Sequence, residues 1–273
     1  MVRVAVVGVT GYTGVELVRW IARHPALELT LVVGRSEVGK PLASVFPHLA
    51  TIAAGSLVVQ PFDPDAIAAA AEVAFLCLPH GAAAEHAAAL VDRGVRVVDL
   101  SADFRLKDLE AFRAYYGEHR APALVERAIY GLPELHRAEL RGAHLIAAPG
   151  CYVTATVLAA APLLSLGLAD ERAGILADCK SGVSGAGRAA SVGSLFAEVG
   201  EGMSAYKVEA HRHRPEIEQE LGRVAGGAVR LTFVPHLAPM SRGILATIYA
   251  DPSPRARDLD LDSAALVEQL SAH

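Results

Sequence analysis

The chain has 273 residues, 52% of them hydrophobic, enough for two compact domains or one large α/β domain with a sizeable core. A net charge of −5, without a basic tail or stripe, argues against nucleic acid or an anionic membrane as the main partner, so any anion must be met by a few local cations. No apolar run approaches the roughly 18 to 20 residues that span a bilayer, and the three cysteines stand far apart without CxxC spacing, so no membrane span, disulfide framework or zinc site is expected.

The first residues read as a strand rather than a signal sequence, and a reduced, cytoplasmic setting follows. Arg3 to Val7 is a β-branched run ending at Gly8, after which Val15, Leu17, Val18 and Ile21 recur at helical spacing: strand, turn, helix. Leu27 to Val33, Val73 to Leu78 and Val95 to Leu100 read as further buried strands, with helical stretches at Ile67 to Ala71 and Ala82 to Val91. Such alternation predicts a doubly wound, parallel sheet of Rossmann type. From Leu106 to His144 the pattern turns polar and irregular, which suits a connection across a cleft.

The turn between the first strand and its helix is Gly8-Val9-Thr10-Gly11-Tyr12-Thr13-Gly14. Glycines there let the backbone approach a pyrophosphate, and the helix N-terminus meets its charge. The GxxGxxG spacing departs from the commoner GxGxxG, and a plain tight turn is the alternative. The second strand chooses the cofactor. An NAD site places an acid near its end, whereas here it runs into Gly34-Arg35-Ser36 with no acid until Glu37, so Arg35 and Ser36 suit a 2′-phosphate and NADP(H) is expected. A solvated Arg35 is the alternative.

Cys151 lies in Ala148-Pro149-Gly150-Cys151-Tyr152-Val153-Thr154, a turn opening into the apolar run Ala155 to Leu164. A thiol at a helix start is biased toward thiolate, while a buried structural cysteine is the bland alternative. The second half then shows a strand at Gly174 to Cys179, a loop from Ser181 to Arg188, a helix from Pro215 to about Val224, strands at Val229 to Pro235 and Gly243 to Ala250 that look paired, and a final helix at Asp262 to Leu270. His211-Arg212-His213-Arg214-Pro215-Glu216 puts two histidines just before a helix. Proline pushes Arg214 toward extended backbone, and in an extended strand the two imidazoles would share a face. A metal pair lacks a third ligand at zinc spacing, and a solvated loop is the other alternative. With a candidate thiolate and a nicotinamide in one chain, the economical chemistry is thiol-dependent hydride transfer to an activated acyl group.

The cysteine motif, Gly8 to Gly14, Leu100-Ser101-Ala102-Asp103-Phe104-Arg105, His211 to Glu216 and Pro239-Met240-Ser241-Arg242-Gly243-Ile244 together resemble the N-acetyl-γ-glutamyl-phosphate reductase family of arginine biosynthesis. The resemblance implies NADPH-dependent reduction of an acyl phosphate to a semialdehyde with release of inorganic phosphate, in a homodimer or homotetramer. It implies a nucleotide domain at 1–148 and, at 149–273, an α+β catalytic and dimerisation domain with a mixed sheet. Cys151 is expected as the nucleophile, His211 as general acid/base with His213 as second choice, and Glu216 as the group orienting them. Cofactor contacts are expected from Gly8, Thr10, Gly11, Tyr12, Thr13, Gly14, Arg35, Ser36, Gly182 and Ser184. Substrate anions are expected to meet Arg105 and Arg242, then Arg188, with Tyr206 beside the histidine.

Val153 stands where many relatives have proline and Arg214 where threonine is expected; the added cation would lower the histidine pKa values. The family usually continues several tens of residues further, so a shortened, incomplete second domain is expected. A relative acting on an aminoadipate or aspartyl phosphate, or an inactive NADP-binding protein, are the alternatives.

Overall fold

β1 (Val2–Val7) lies between β2 (Leu27–Val33) and β3 (Val73–Leu76), parallel to both. Its side chains alternate between two apolar layers. Val4 and Val6 join Val15, Val18 and Ile21 of α1 (Tyr12–Ile21), while Ala5 and Val7 join Ile67, Ala87 and Leu90 on the opposite face. Burial on both faces is what a parallel, doubly wound sheet requires. In the computed structural model, which describes residues 1–170, 173–259 and 262–272, the chain divides into a unit Met1–Pro149 and a second unit beginning at Gly150.

The first unit also contains α2 (Leu42–Val45), α3 (Pro64–Ala70), α4 (Ala83–Val91), β4 (Arg96–Asp99), α5 (Leu109–Tyr116), β5 (Ile129–Tyr130), α6 (Pro133–Leu140) and β6 (Leu145–Ala147). Among the described residues its strands form one six-stranded parallel sheet in the order β2-β1-β3-β4-β6-β5. The stretch 106–144, expected as an irregular connection, instead contributes two helices and an edge strand. Asp108 caps α5 by accepting the N–H groups of Glu110 and Ala111, a local sign of a helix start that hydrophobic periodicity misses because α5 buries only Phe112.

The second unit runs α7 (Cys151–Ser165), β7 (Ile175–Ser181), α8 (Phe196–Val199), β8 (Ser204–Ala205), α9 (Arg214–Ala225), β9 (Leu231–Leu237), β10 (Ile244–Ala250), α10 (Pro254–Asp258) and α11 (Ser263–Ala272). Its mixed sheet has the order β10-β7-β9-β8. β9 and β10 are therefore not partners, as their sequence neighbourhood suggested; β7 separates them, parallel to β9 and antiparallel to β10. Two parallel neighbours need a long crossover, which α9 supplies. The 238–243 turn then crosses the end of β7, tied there by Val183 N–H to Met240 O at 2.9 Å and Gly182 N–H to Gly243 O at 2.9 Å, so β10 returns along the far edge of β7.

Candidate functional site

Cys151 is the first residue of α7, with Gly150 as its extended N-cap and no acid in the first turn. Its side chain is exposed, whereas Cys179 is buried. The bland reading of Cys151 as a core thiol therefore falls. Main-chain N–H groups at the start of a helix are not consumed within it, and their dipole favours a thiolate placed there. The turn is held from α9: the buried carboxylate of Glu216 accepts the Gly150 N–H at 2.9 Å. His213, also buried, lies on the same glycine. A β-carbon built on Gly150 would stand 2.6 Å from His213 Nε2, so only glycine lets the ring approach the cysteine turn this closely.

The two histidines do not sit on an extended strand. His213 has helical backbone (φ −81°, ψ −14°), Arg214 is the first residue of α9, and the pair is brought together by a tight turn in which His213 N–H donates to His211 Nδ1 at 3.1 Å. The rings stand 4.8 Å apart. Because Nδ1 accepts a hydrogen bond, the neutral His211 ring carries its hydrogen on Nε2. Tyr152, Tyr206 and Phe233 surround it edge-on at 5.5, 5.5 and 5.3 Å. Burial pulls the His211 pKa down to about 4, helped by the nearby cations Arg212 and Lys207. The cation singled out in the sequence, Arg214, is instead turned to Glu218 at 2.9 Å. Arg212 and Lys207 escape sequence reasoning because nothing local distinguishes them from solvated loop cations.

Gly182 brings two predicted substrate and cofactor groups together. A β-carbon there would meet the backbone of Arg242 at 2.7 Å, and Ser184 N–H donates to Ser241 O at 3.1 Å. Arg242 and Arg188 are both exposed. Tyr206 donates its hydroxyl to Tyr152 at 3.1 Å. Arg105 differs from the others. It lies buried in the first unit, where Nε and Nη2 donate to the carbonyls of Ala148 and Leu100, each at 2.7 Å.

In the first unit the glycine turn divides by role. Gly8 has φ +85° and its missing side chain faces the Cys77 carbonyl, while a β-carbon on Gly14 would stand 2.5 Å from Gly8 O. Both are demanded by the fold. Gly11 is not, since a β-carbon there meets nothing nearer than 3.6 Å. No side chain caps the N-terminus of α1 and no acid occupies its first turn. An uncapped helix start behind a glycine the protein itself does not need fits a pyrophosphate. Thr10 Oγ1 and Ser36 Oγ stand 3.4 Å apart, Arg35 is exposed, and the nearest acid, Glu37, is engaged by Lys40 at 2.6 Å. That end of β2 fits a 2′-phosphate better than a bare ribose. Among the described residues, no helix is long and apolar enough to cross a membrane.

Residues 3–143 match the family model of the semialdehyde dehydrogenase NAD-binding domain, and residues 151–268 that of the semialdehyde dehydrogenase dimerisation domain. The N-acetyl-γ-glutamyl-phosphate reductase of Azotobacter vinelandii is 53% identical over 260 residues, covering 95% of this chain and 75% of that protein. The enzyme of the same name from Pseudomonas aeruginosa strain PAO1 is 54% identical over 262 residues, with the same coverage. Among solved structures, aspartate semialdehyde dehydrogenase II of Vibrio cholerae aligns with a TM-score of 0.72 at 15% identity, covering 100% of this chain and 79% of that one. The Candida albicans aspartate semialdehyde dehydrogenase with NADP aligns at 0.70 and 15%, covering 99% and 75%.

Proposed function

The chain belongs to the N-acetyl-γ-glutamyl-phosphate reductase family, and on that premise we propose that it reduces N-acetyl-γ-glutamyl phosphate to N-acetylglutamate semialdehyde, with release of inorganic phosphate, in arginine biosynthesis. The observation that carries this is an exposed thiol on the first residue of α7 with an imidazole packed on the glycine before it. Cys151 attacks the acyl carbonyl. The C–S bond forms as the C–O bond to phosphate breaks, leaving a thioester, which accepts hydride where a carboxylate does not. NADPH, when bound, would supply that hydride; the thiohemiacetal left on Cys151 then collapses, its C–S bond breaking to release the semialdehyde and return the thiolate.

The chain's own groups divide the remaining work. N–H groups of the first turn of α7 face the oxyanion that forms as the carbonyl is attacked. His213, against the cysteine turn, takes and returns the proton. His211 is a weak base at neutral pH and serves as a neutral Nε2–H donor. Glu216 holds the turn, and Arg242 beside Ser184 binds a substrate anion, with Arg188 as the outer cation. Arg105 braces the segment that leads into the cysteine. NADPH is held by Gly11, by the start of α1 and by Arg35, Thr10 and Ser36.

The assembly is proposed to be a homodimer or homotetramer in the cytoplasm. On the second unit's sheet, Ile175, Ala177 and Cys179 are buried on one face, while Leu176 and its β10 partner Tyr249 are exposed on the other together with Leu245. That open face is assigned to a second copy. The reaction is tested in the oxidative direction with semialdehyde, NADP and phosphate. Phosphate-dependent NADPH formation, abolished in Cys151→Ser with cofactor affinity intact, is expected; turnover by Cys151→Ser would sink the thioester route.

A further inference from the structure

Tyr152 takes no part in the chemistry assigned above, yet it follows Cys151 directly and packs against both imidazoles. Successive helical residues point about 100° apart, so Cys151 faces outward while Tyr152, 2% exposed, points into the unit. Its hydroxyl donates to the main-chain oxygen of His236 on β9 at 3.1 Å and accepts the Tyr206 hydroxyl at 3.1 Å. Its ring stands edge-on to His211 at 5.5 Å, to His213 at 6.0 Å and to Phe233 at 5.4 Å. A phenylalanine would fill the same space without requiring buried partners for a hydroxyl. The oxygen here joins three separate segments: the first turn of the cysteine helix, the segment carrying Tyr206, and β9.

We propose that Tyr152 is a positioning residue: by tying the first turn of α7 to β9 and to Tyr206, it sets the direction of the Cys151 thiol relative to the two imidazoles. The proposal rests on the thioester reading of Cys151. Misplacement by about 1 Å in such a site costs on the order of 100-fold in rate, so loss of one anchoring hydroxyl is measurable. Without it, the His236 carbonyl loses a donor, the Tyr206 hydroxyl loses its acceptor, and the Glu216–Gly150 bond is left to hold the turn without the tie to β9.

The experiment compares Tyr152→Phe, Tyr206→Phe and the double variant in kcat, in KM for NADPH, and in the pH dependence of iodoacetamide alkylation followed on the Cys151 peptide. Tyr152→Phe is expected to fold normally, to keep KM for NADPH within about twofold, to lose about 10- to 100-fold in kcat, and to shift the alkylation midpoint upward. The double variant is expected to be no worse than Tyr152→Phe, because the two hydroxyls act as one unit. Unchanged kcat with an alkylation profile superimposed on the parent, or losses that multiply in the double variant, would overturn the proposal. Alkylation needs no turnover, so it judges Tyr152 separately from the Cys151→Ser assay that judges the thioester.

Discussion

Glu216, at the start of α9, accepts the main-chain N–H of Gly150 at 2.9 Å across 66 residues of sequence, and so holds from behind the turn that presents Cys151. The carboxylate is 1% exposed, and its partner N–H is buried with it. Glu216→Ala strands that donor, at a cost of about 1–3 kcal/mol. A lowered Tm together with a lowered kcat is expected, with NADPH affinity unchanged. Glu216→Gln keeps an acceptor oxygen and should retain most of the stability; if thermal unfolding places it level with Glu216→Ala, the bond is not what the residue contributes.

Gly150→Ala tests the other side of the same turn. Three atoms of the His213 ring lie within 2.9 Å of the added methyl group, and that ring is packed between His211 and Tyr152. The imidazole must shift, so kcat should fall by about 100-fold while fluorescence titration shows undisturbed NADPH binding. Near-parental turnover would mean that the ring's place against Gly150 is irrelevant to the chemistry.

Gly11→Ala and Gly14→Ala should part company. Alanine at position 11 meets only ordinary contacts in the protein, so the chain should fold with near-parental Tm and bind NADPH at least tenfold more weakly, by about 1.4 kcal/mol or more. Alanine at position 14 runs into Gly8 O at 2.5 Å and should lower Tm first. Equal cofactor affinity in Gly11→Ala and the parent would remove the pyrophosphate from this turn.

Two buried groups give the stability curve opposite slopes with pH. His211 takes a proton near pH 4 when folded against the ordinary imidazole value of 6.5, so the unfolded chain gains a proton the folded one refuses, and stability falls as pH drops from 6.5 toward 4. Asp99, fully buried, is raised from 3.8 to about 6, chiefly by desolvation; the folded chain keeps a proton the unfolded one releases, and stability falls as pH rises from 3.8 to 6. Asp99→Asn should therefore raise Tm at pH 7 to 8, with the gain vanishing near pH 4. His211→Gln should raise Tm relative to its own neutral-pH difference from the parent only on the acid side. Variant curves that run parallel to the parent from pH 4 to 8 would contradict both assignments.

The strand–turn–helix at Gly8 to Gly14 is legible because its cause is local: a β-branched run, glycines and a helical stripe occupy adjacent residues, and β1 and α1 form in that order. The same holds for Cys151, whose helix start is announced by Pro149 and Gly150. Arg105 was legible only as a charge. Its burial and its bonds to the carbonyls of Ala148 and Leu100 depend on where the end of β4 meets the end of β6, which no window of sequence contains. The histidine turn misled for a related reason. The preference that proline imposes on Arg214 is small beside the packing of α9 and the bond from His213 N–H to His211 Nδ1.

The parallel alternation of the first half, the helix start at Cys151 and the family resemblance are all readable along the chain. Those follow from periodicity, turn chemistry and motif order, which act over a few residues at a time. That β7 separates β9 from β10, that Glu216 and His213 close on Gly150, and that Tyr152 bridges to β9 across 84 residues emerge from the folded chain alone. These are pairings between distant segments, selected by which buried donors and acceptors can be satisfied together once the chain has collapsed, and no local preference carries that information.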